Sequence, residues 1–345
     1  MASVGDFVIR MLAVVAAVCL LPAAPALAAP GDDGMEKLFT FRDERITESS
    51  GLAVSPTHDG VYYTHNDSSA APVFYAVDGK GRTLATFHLR GAEARDWEAM
   101  AASKDPATGR GVLWFADIGD NLDGAWPDVS VYKVAEPRTL ADATLPAVRY
   151  RLRYADGARN AEGIMVHPKT GRLYVVSKEF AGSVYAAPKK LRSDRVNVLR
   201  RVASAPIMAT DAAYAPDGSS YVVRTYFSAT LYKPNGEVLA RVTMPDLKQA
   251  ESIAYTADGK ALLTGSEGPR SPVYRVPLPS SAEPSPTPTP TPSETSSKDG
   301  GGDGESPQAA PADSSGGLTG RDVLIWLAAA AIAISVITFL ARRTR

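Results

Sequence analysis

A short segment recurs five times along this chain, and each copy is a polar residue followed by a small apolar run that reads as a strand. Successive copies start 48, 64, 48 and 41 residues apart, a spacing typical of one four-stranded propeller blade. We therefore predict an all-β fold, a five-bladed β-propeller. Six blades remain an alternative, because the longest interval has room for extra strands. The copies are Ser50-Gly51-Leu52-Ala53, Glu98-Ala99-Met100-Ala101, Glu162-Gly163-Ile164-Met165, Thr210-Asp211-Ala212-Ala213 and Glu251-Ser252-Ile253-Ala254.

Residues 35–279 are the region that we assign to the propeller domain, because short β-branched and aromatic runs alternate there with turn signals. The last blade shows only three strands before the composition changes. An N-terminal strand over Lys37 to Phe41 is expected to supply its missing outer strand. Such a closure would tie the two ends of the domain together and remove an exposed sheet edge.

The N-terminus, residues 1–28, has the pattern of a signal peptide. Arg10 precedes an apolar run from Met11 to Leu21, and Ala26-Leu27-Ala28 has the small residues of a cleavage site. Cleavage after Ala28 would also remove Cys19, the one cysteine of the chain. We therefore expect no disulfide, thiol catalysis or cysteine-bound zinc in the mature protein.

The C-terminal part predicts a tether to a membrane. Residues 280–317 are rich in Pro, Ser, Thr and Gly, a composition typical of a disordered stalk. A transmembrane helix is predicted over 322–341; its 19 uncharged residues from Val323 to Ala341 would span about 28 Å. The basic tail, 342–345, would lie in the cytoplasm. We expect a single-pass protein of the cell membrane with its propeller outside.

Charge and motifs limit the function classes. The formal net charge is −1 and both signs are interspersed, which argues against nucleic acid as a partner. The chain has no Gly-x-Ser-x-Gly elbow, Walker loop or His-Glu-x-x-His motif. These absences disfavour a serine hydrolase, a P-loop NTPase and a zinc metalloprotease.

The five repeat-initiating residues should converge on the propeller axis and form a candidate metal site. Three carboxylates that meet there must either hold protons or bind a cation. Ligands that are all oxygen suit Ca²⁺ rather than zinc, and a wide ring suits calcium better than octahedral magnesium. As an alternative, each acid accepts hydrogen bonds from a neighbouring blade and only locks the ring. The ring consists of Ser50, Glu98, Glu162, Thr210 and Glu251.

A second polar set follows the second strand of each blade and should share the same funnel. Arg224 and Lys178 are candidates to hold a phosphate or carboxylate, and His65 is a candidate general base. The alternatives are that the two cations form salt bridges and that His65 is structural. The run that starts at Asp117 is either a second cation loop or a tight capped turn. The other funnel residues are Asp67, Asp117, Asp120, Asn121 and Glu267.

The Ser, Glu, Glu, hydroxyl, Glu order of the ring resembles that of the calcium-activated nucleotidases (apyrases), five-bladed propellers with a central calcium. Thr210 departs from their serine but keeps the hydroxyl. Residues 46–277 resemble a group of bacterial secreted propellers described as WD40-like or as relatives of esterase-like phytases. The motifs are Glu48-Ser49-Ser50-Gly51-Leu52, Asp96-Trp97-Glu98, Asp117-Ile118-Gly119-Asp120-Asn121, Ala161-Glu162-Gly163 and Gly265-Ser266-Glu267-Gly268.

Two functions remain. The first is a binding or scaffold module with a central calcium, displayed at the cell surface, whose top face receives a protein, a glycan or a small anionic ligand. The alternative, which the resemblance implies, is a calcium-dependent hydrolase of nucleotide-like or phytate-like phosphoesters or phosphoanhydrides. Carboxylate partners for both Arg224 and Lys178 would favour the first.

Overall fold

The computed structural model describes residues 34–67, 71–121 and 124–282. Within these ranges the chain forms β-strands and one short 3-10 helix, Ser280–Ala282. The all-β prediction is therefore confirmed. The strands are β1 (Glu36–Thr40), β2 (Ser49–Val54), β3 (Val61–Asn66), β4 (Val73–Asp78), β5 (Thr83–Arg90), β6 (Trp97–Lys104), β7 (Gly111–Asp117), β8 (Val129–Ala135), β9 (Ala143–Pro146), β10 (Val148–Tyr154), β11 (Ala161–Val166), β12 (Leu173–Ser177), β13 (Ser183–Ala186), β14 (Asn197–Ser204), β15 (Ala209–Tyr214), β16 (Tyr221–Thr225), β17 (Ser228–Tyr232), β18 (Val238–Thr243), β19 (Ile253–Tyr255), β20 (Ala261–Gly265) and β21 (Pro272–Pro277).

The strands form antiparallel four-stranded meanders, as a propeller requires. In chain order the first is β2-β3-β4-β5, the second β6-β7-β8-β10, the third β11-β12-β13-β14 and the fourth β15-β16-β17-β18. The fifth is β19-β20-β21-β1, in which β1 pairs antiparallel with β21 through Lys37–Tyr274 and Phe39–Val273. The predicted N-terminal strand thus supplies the outer strand of the last meander.

Two strand pairings were not predicted, because the sequence indicated separate four-stranded sheets. Leu152–Tyr154 of β10 pairs in parallel with Asn197–Leu199 of β14, which joins the second and third meanders into one eight-stranded sheet. β9, in the long interval between the second and third repeats, pairs in parallel with β5 and makes the first sheet five-stranded. Both pairings cover an outer edge that would otherwise expose backbone N–H and C=O groups.

The inner strands pack in a closed cycle, β2 with β6, β6 with β11, β11 with β15, β15 with β19 and β19 with β2. Apolar side chains fill the spaces between successive meanders. Leu113 and Phe87 belong to one such cluster, and Ile253 and Val222 to another. Because five inner strands share one centre, residues at equivalent positions in the repeats lie around it.

A polar clasp around Glu136 also joins the first and second meanders. Its carboxylate accepts hydrogen bonds from Ser55 Oγ at 2.5 Å, Thr57 Oγ1 at 2.6 Å and the Tyr63 hydroxyl at 3.1 Å. We expect Glu136→Ala to lower the free energy of unfolding in urea by about 3 kcal/mol, because the buried hydroxyls of Ser55 and Tyr63 lose their acceptor. Glu136→Gln keeps one acceptor oxygen and should lose less. Equal losses in the two variants would contradict this role.

The predicted signal peptide (1–28), transmembrane helix (322–341) and basic tail (342–345) lie outside the described residues, as does the predicted stalk after Ala282. In the part of the chain that is described, no helix is long and apolar enough to cross a membrane. Ala282, in the 3-10 helix, packs against the apolar cluster between the fourth and fifth meanders.

Candidate metal centre

Local backbone irregularities position most of the repeat-initiating residues. The strand register shifts by one residue at Ser50 in β2, Glu98 in β6, Glu162 in β11 and Thr210 in β15. Such a β-bulge re-aims a side chain away from the normal alternation of the strand. The fifth member, Glu251, lies just before β19. Four of the five recurring polar residues therefore lie at a β-bulge and not at a regular strand position.

The two hydroxyl members of the ring link neighbouring inner strands. Ser50 Oγ donates to the backbone oxygen of Glu98 at 2.7 Å, and Thr210 Oγ1 donates to that of Ala250 at 2.9 Å. Both side chains are buried. These bonds run from hydroxyls to backbone oxygens and are different from the predicted alternative, in which each acid of the ring accepts hydrogen bonds from a neighbouring blade. Ligation of a metal by these hydroxyls stays a prediction.

The three glutamates of the ring are buried, and this burial favours their protonated forms. Burial, and after it the neighbouring charge of Glu162, raises the pKa of Glu98 to about 11. Burial raises the pKa of Glu162 to about 8 against the opposing effect of Lys178. The pKa of Glu251 is also raised by burial, again opposed by Lys178. Burial thus opposes ionisation of these glutamates, and a positive charge, from Lys178 or from a bound cation, favours it.

Among the described residues, a group of acids is formed by Asp67, Asp96 and Glu98, which each offer one carboxylate oxygen within 4.8 Å of the others; the ring members Glu162 and Glu251 are not part of it. Gly119 makes this approach possible, because a Cβ there would collide with Asp96 Oδ2 and Glu98 Oε1. Asp67 and Glu98 were predicted site residues, but Asp96 was not. The available signal was its position two residues before Glu98 in the Asp96-Trp97-Glu98 motif.

Lys178 lies in the acidic centre with a carboxylate partner. Its Nζ is 2.6 Å from Glu162 Oε1 and 5.0 Å from the centroid of the Tyr226 ring. The Oε2 atom of Glu251 is buried and has no hydrogen-bond partner among the described residues. Lys178 therefore neutralises charge inside the ring and is not available as an unpaired cation.

Arg224 of β16 is fully buried, and none of its three guanidinium nitrogens has a hydrogen-bond partner within the described ranges. Burial lowers the pKa of Arg224 to about 10, while the charges of Glu251 and Asp211 oppose this shift. The Asp211 carboxylate instead accepts hydrogen bonds from the backbone N–H groups of Ala212 at 2.7 Å and Ile253 at 2.8 Å.

His65 does not lie on an open funnel, so its prediction as an accessible general base needs correction. The ring is fully buried and meets Trp97 edge to face at 5.3 Å. Its Nδ1 lies 2.9 Å from the backbone oxygen of Asn66, and burial lowers the pKa of the imidazole. A Cβ at Gly51 would collide with His65 Nε2. These contacts favour the structural alternative.

Among the other funnel residues, the two buried aspartates shape the loop that follows β7. Asp117 accepts the backbone N–H of Asp96 at 2.8 Å. Asp120 accepts the backbone N–H groups of Ala125 and Trp126 at 3.2 and 3.1 Å. The two Asp120 bonds favour the capped turn over a second cation loop.

Two further funnel residues differ from each other in their relation to the acidic centre. Asn121 is exposed and accepts from Asn160 Nδ2 at 2.9 Å. Glu267 is partly buried and accepts from Gln249 Nε2 at 2.5 Å. Burial, together with the charge of Glu251, raises the pKa of Glu267 to about 7. Glu267 therefore belongs electrostatically to the acidic centre.

Comparison with known proteins adds little to this description. No family model matches the chain, and no curated protein matches it. Among solved structures, a gluconolactonase from Xanthomonas campestris is similar, with 18% sequence identity and a TM-score of 0.45 over 67% of this chain and 72% of that chain. The resemblances to WD40-like propellers, phytase relatives and apyrases stay predictions. The propeller assignment rests on the meanders and the cycle of inner strands described above.

Proposed function

We propose that this protein is a five-bladed propeller that binds one calcium ion at its acidic centre and uses the surrounding face to bind a partner. The observation that carries the proposal is the group formed by Asp67, Asp96 and Glu98, whose oxygens approach within 4.8 Å beside Gly119. The blade count is supported by the five meanders and by the closed cycle of their inner strands.

Electrostatics supports a cation at this centre. Glu98, with a pKa of about 11, would hold a proton at neutral pH, and a divalent cation would replace that proton. The available ligand atoms are carboxylate oxygens, which suit hard cations. Calcium accepts six to eight ligands in flexible geometry, so backbone oxygens and water can complete its shell more readily than for magnesium.

The binding role is favoured over catalysis by the state of the candidate catalytic residues. Lys178 is paired with Glu162, and the His65 ring is enclosed by aromatic side chains. Two large aromatic residues close to this end of the strands, Phe180 and Phe227, are 85% and 88% exposed. Exposed aromatic side chains of this kind are typical of interaction surfaces. A protein, a glycan or a small anion remains the proposed class of partner.

The second candidate, a calcium-dependent hydrolase of phosphoesters or phosphoanhydrides, is favoured by one observation. The Arg224 guanidinium has no hydrogen-bond partner in the described part of the chain and could hold an anionic group near the metal. Hydrolysis of p-nitrophenyl phosphate or ADP that EDTA abolishes would support this candidate. Calcium binding without turnover would support the binding module.

We also propose that the propeller is displayed outside the cell on a membrane anchor. This proposal rests on the apolar segments at the two ends of the sequence. Fractionation of cells, followed by protease treatment of intact cells, tests it. Release of the propeller domain from the cell surface is the expected result, and a protease-resistant soluble protein would contradict it.

Calcium titration of the purified full-length protein tests the metal site directly. We expect one calcium ion to bind and, at about 100 times its dissociation constant, to stabilise the fold by about 2.7 kcal/mol. Asp96→Asn should weaken binding at least about tenfold, because it removes a charged ligand. Glu44→Gln, which removes one exposed carboxylate, is the matched control and should leave binding unchanged. Equal calcium responses in the two variants would reject this site.

A further inference from the structure

A central cavity lies at the end of the inner strands that is opposite to the acidic ring. Its volume is about 510 Å³, and residues of all five inner strands, β2, β6, β11, β15 and β19, and of the turns that follow them form its wall. The ring residues, in contrast, lie within two residues of the first residue of each inner strand. The cavity is therefore a separate site on the other face of the propeller.

The inner part of the cavity wall is mainly apolar. Leu52, Met100, Met165 and Ile253 line it on the side towards the acidic ring. Methionine side chains are flexible and adapt to apolar ligands of different shape. Each inner strand is also an end strand of its described sheet, so its second edge offers backbone N–H and C=O groups to the cavity. Such a wall suits a ligand with an apolar body and a few polar atoms.

The mouth of the cavity carries more positive than negative charge. Its charged residues are Lys104 at the end of β6, Lys169 in the turn after β11 and Asp59 in the turn after β2, and all three are exposed. Among the described residues neither ammonium forms an ion pair, in contrast to Lys178, whose Nζ is 2.6 Å from Glu162 Oε1. Two cations at the mouth are thus available to an anionic group.

The acids and the lysines at the two ends of the inner strands define how an anion can enter. Lys104 follows Glu98 by six residues along β6, which corresponds to about 20 Å at about 3.3 Å per residue. An anionic group at the mouth is therefore remote from the ring of carboxylates, and the apolar wall lies between them. An anionic group placed deeper would approach those acids and lose the lysines.

We propose that this cavity binds an amphipathic organic anion. The apolar body lies against Met100 and Met165, and the acidic group, a carboxylate or a sulfonate, is held at the mouth by Lys104 and Lys169. The volume of about 510 Å³ lies within the range of about 300–1,000 Å³ that is usual for small-molecule sites. This site uses none of the acids of the metal centre and none of the exposed aromatic residues of the opposite face.

Isothermal titration calorimetry of the full-length protein with 2-naphthalenesulfonate tests the cavity. The matched neutral probe is 2-naphthalenesulfonamide, which keeps the rings but lacks the charge. We expect one sulfonate to bind, and Lys104→Gln combined with Lys169→Gln to weaken its binding about tenfold without changing that of the sulfonamide. Lys80→Gln combined with Lys189→Gln alters exposed lysines outside the cavity and should leave both affinities unchanged.

Two results would overturn the inference. One is a dissociation constant of the native protein for the sulfonate that is weaker than about 1 mM. The other is an affinity that the Lys104 and Lys169 substitutions do not lower. The four lysines are exposed, so these variants should keep the native unfolding midpoint. The titration is carried out in EDTA and does not depend on calcium, so this inference and the proposed metal centre can fail separately.

Discussion

Thermal unfolding of the calcium-free protein is expected to move to lower temperature as the pH rises from about 5 to about 8, and calcium should remove most of this dependence. The groups responsible are Glu98, whose pKa is raised to about 11, Glu162, whose pKa is raised to about 8, and Glu267, whose pKa is raised to about 7. All three shifts arise mainly from burial, so the folded protein binds more protons than the unfolded chain in this range. Stability must therefore fall as the pH rises.

The pH range in which stability is lost follows from the direction of these pKa shifts. A carboxyl whose pKa is raised by folding contributes fully below its ordinary pKa and loses that contribution as the pH passes its raised value. Each pKa unit that such a shift covers within this pH range is worth about 1.4 kcal/mol, so the unfolding midpoint of a domain of this size is expected to fall by at least about 10 °C. Carboxyls with lowered pKa values, such as Asp43 at about 2, titrate in more acidic solution, so their effect on stability does not offset this loss.

Calorimetry of the native protein across this pH range, in EDTA and in calcium, measures the effect. Glu162→Gln combined with Glu267→Gln should make the EDTA profile less steep, because neither amide titrates, while Glu98 keeps part of the slope. Asp128→Asn, which changes an aspartate paired with Arg151 at 3.6 Å, is the control that should keep the native slope. An unfolding midpoint in EDTA that stays constant or rises with pH would show that the acids of the centre do not have raised pKa values in the folded protein.

Replacement of Asp211 by alanine is expected to lower the free energy of unfolding by about 4 kcal/mol. Asp211 is fully buried and accepts the backbone N–H of Ile253 across the boundary between the fourth and fifth meanders. It also accepts the N–H of Ala212. Its loss leaves two amides without an acceptor in the interior, each at a cost of about 1–3 kcal/mol. Arg224 would lose a nearby negative charge as well.

Urea denaturation of Asp211→Ala, compared with two controls, tests this link. Asp211→Asn keeps one acceptor oxygen and should show an intermediate loss. Asp217→Ala removes an exposed aspartate that accepts Ser219 N–H in a turn of the same meander, and it should cost less than about 1 kcal/mol. Losses of equal size at positions 211 and 217 would contradict the role of Asp211 between meanders.

Several features of the fold could be predicted because they depend on local pattern. Each inner strand begins near a polar residue followed by small apolar residues, and the Lys37 to Phe41 segment pairs at the end of the chain as expected. β9 could not be predicted in the same way. Its Ala143–Pro146 segment becomes a strand only through parallel pairing with β5, a contact between distant segments that its own residues do not indicate.

The amino-acid sequence by itself determined the all-β class and the five equivalent positions that carry Ser50, Glu98, Glu162, Thr210 and Glu251, because strand periodicity and repeat spacing are local properties. Only the tertiary structure decided which of these side chains lie next to other charged or aromatic residues. It brought Asp96 and Asp67 to Glu98, paired Lys178 with Glu162 and enclosed His65 among aromatic rings. The physical reason is that these distances depend on the bulges and on packing between meanders, where a shift of a few ångströms changes a metal ligand into an ion-pair partner or a buried core residue.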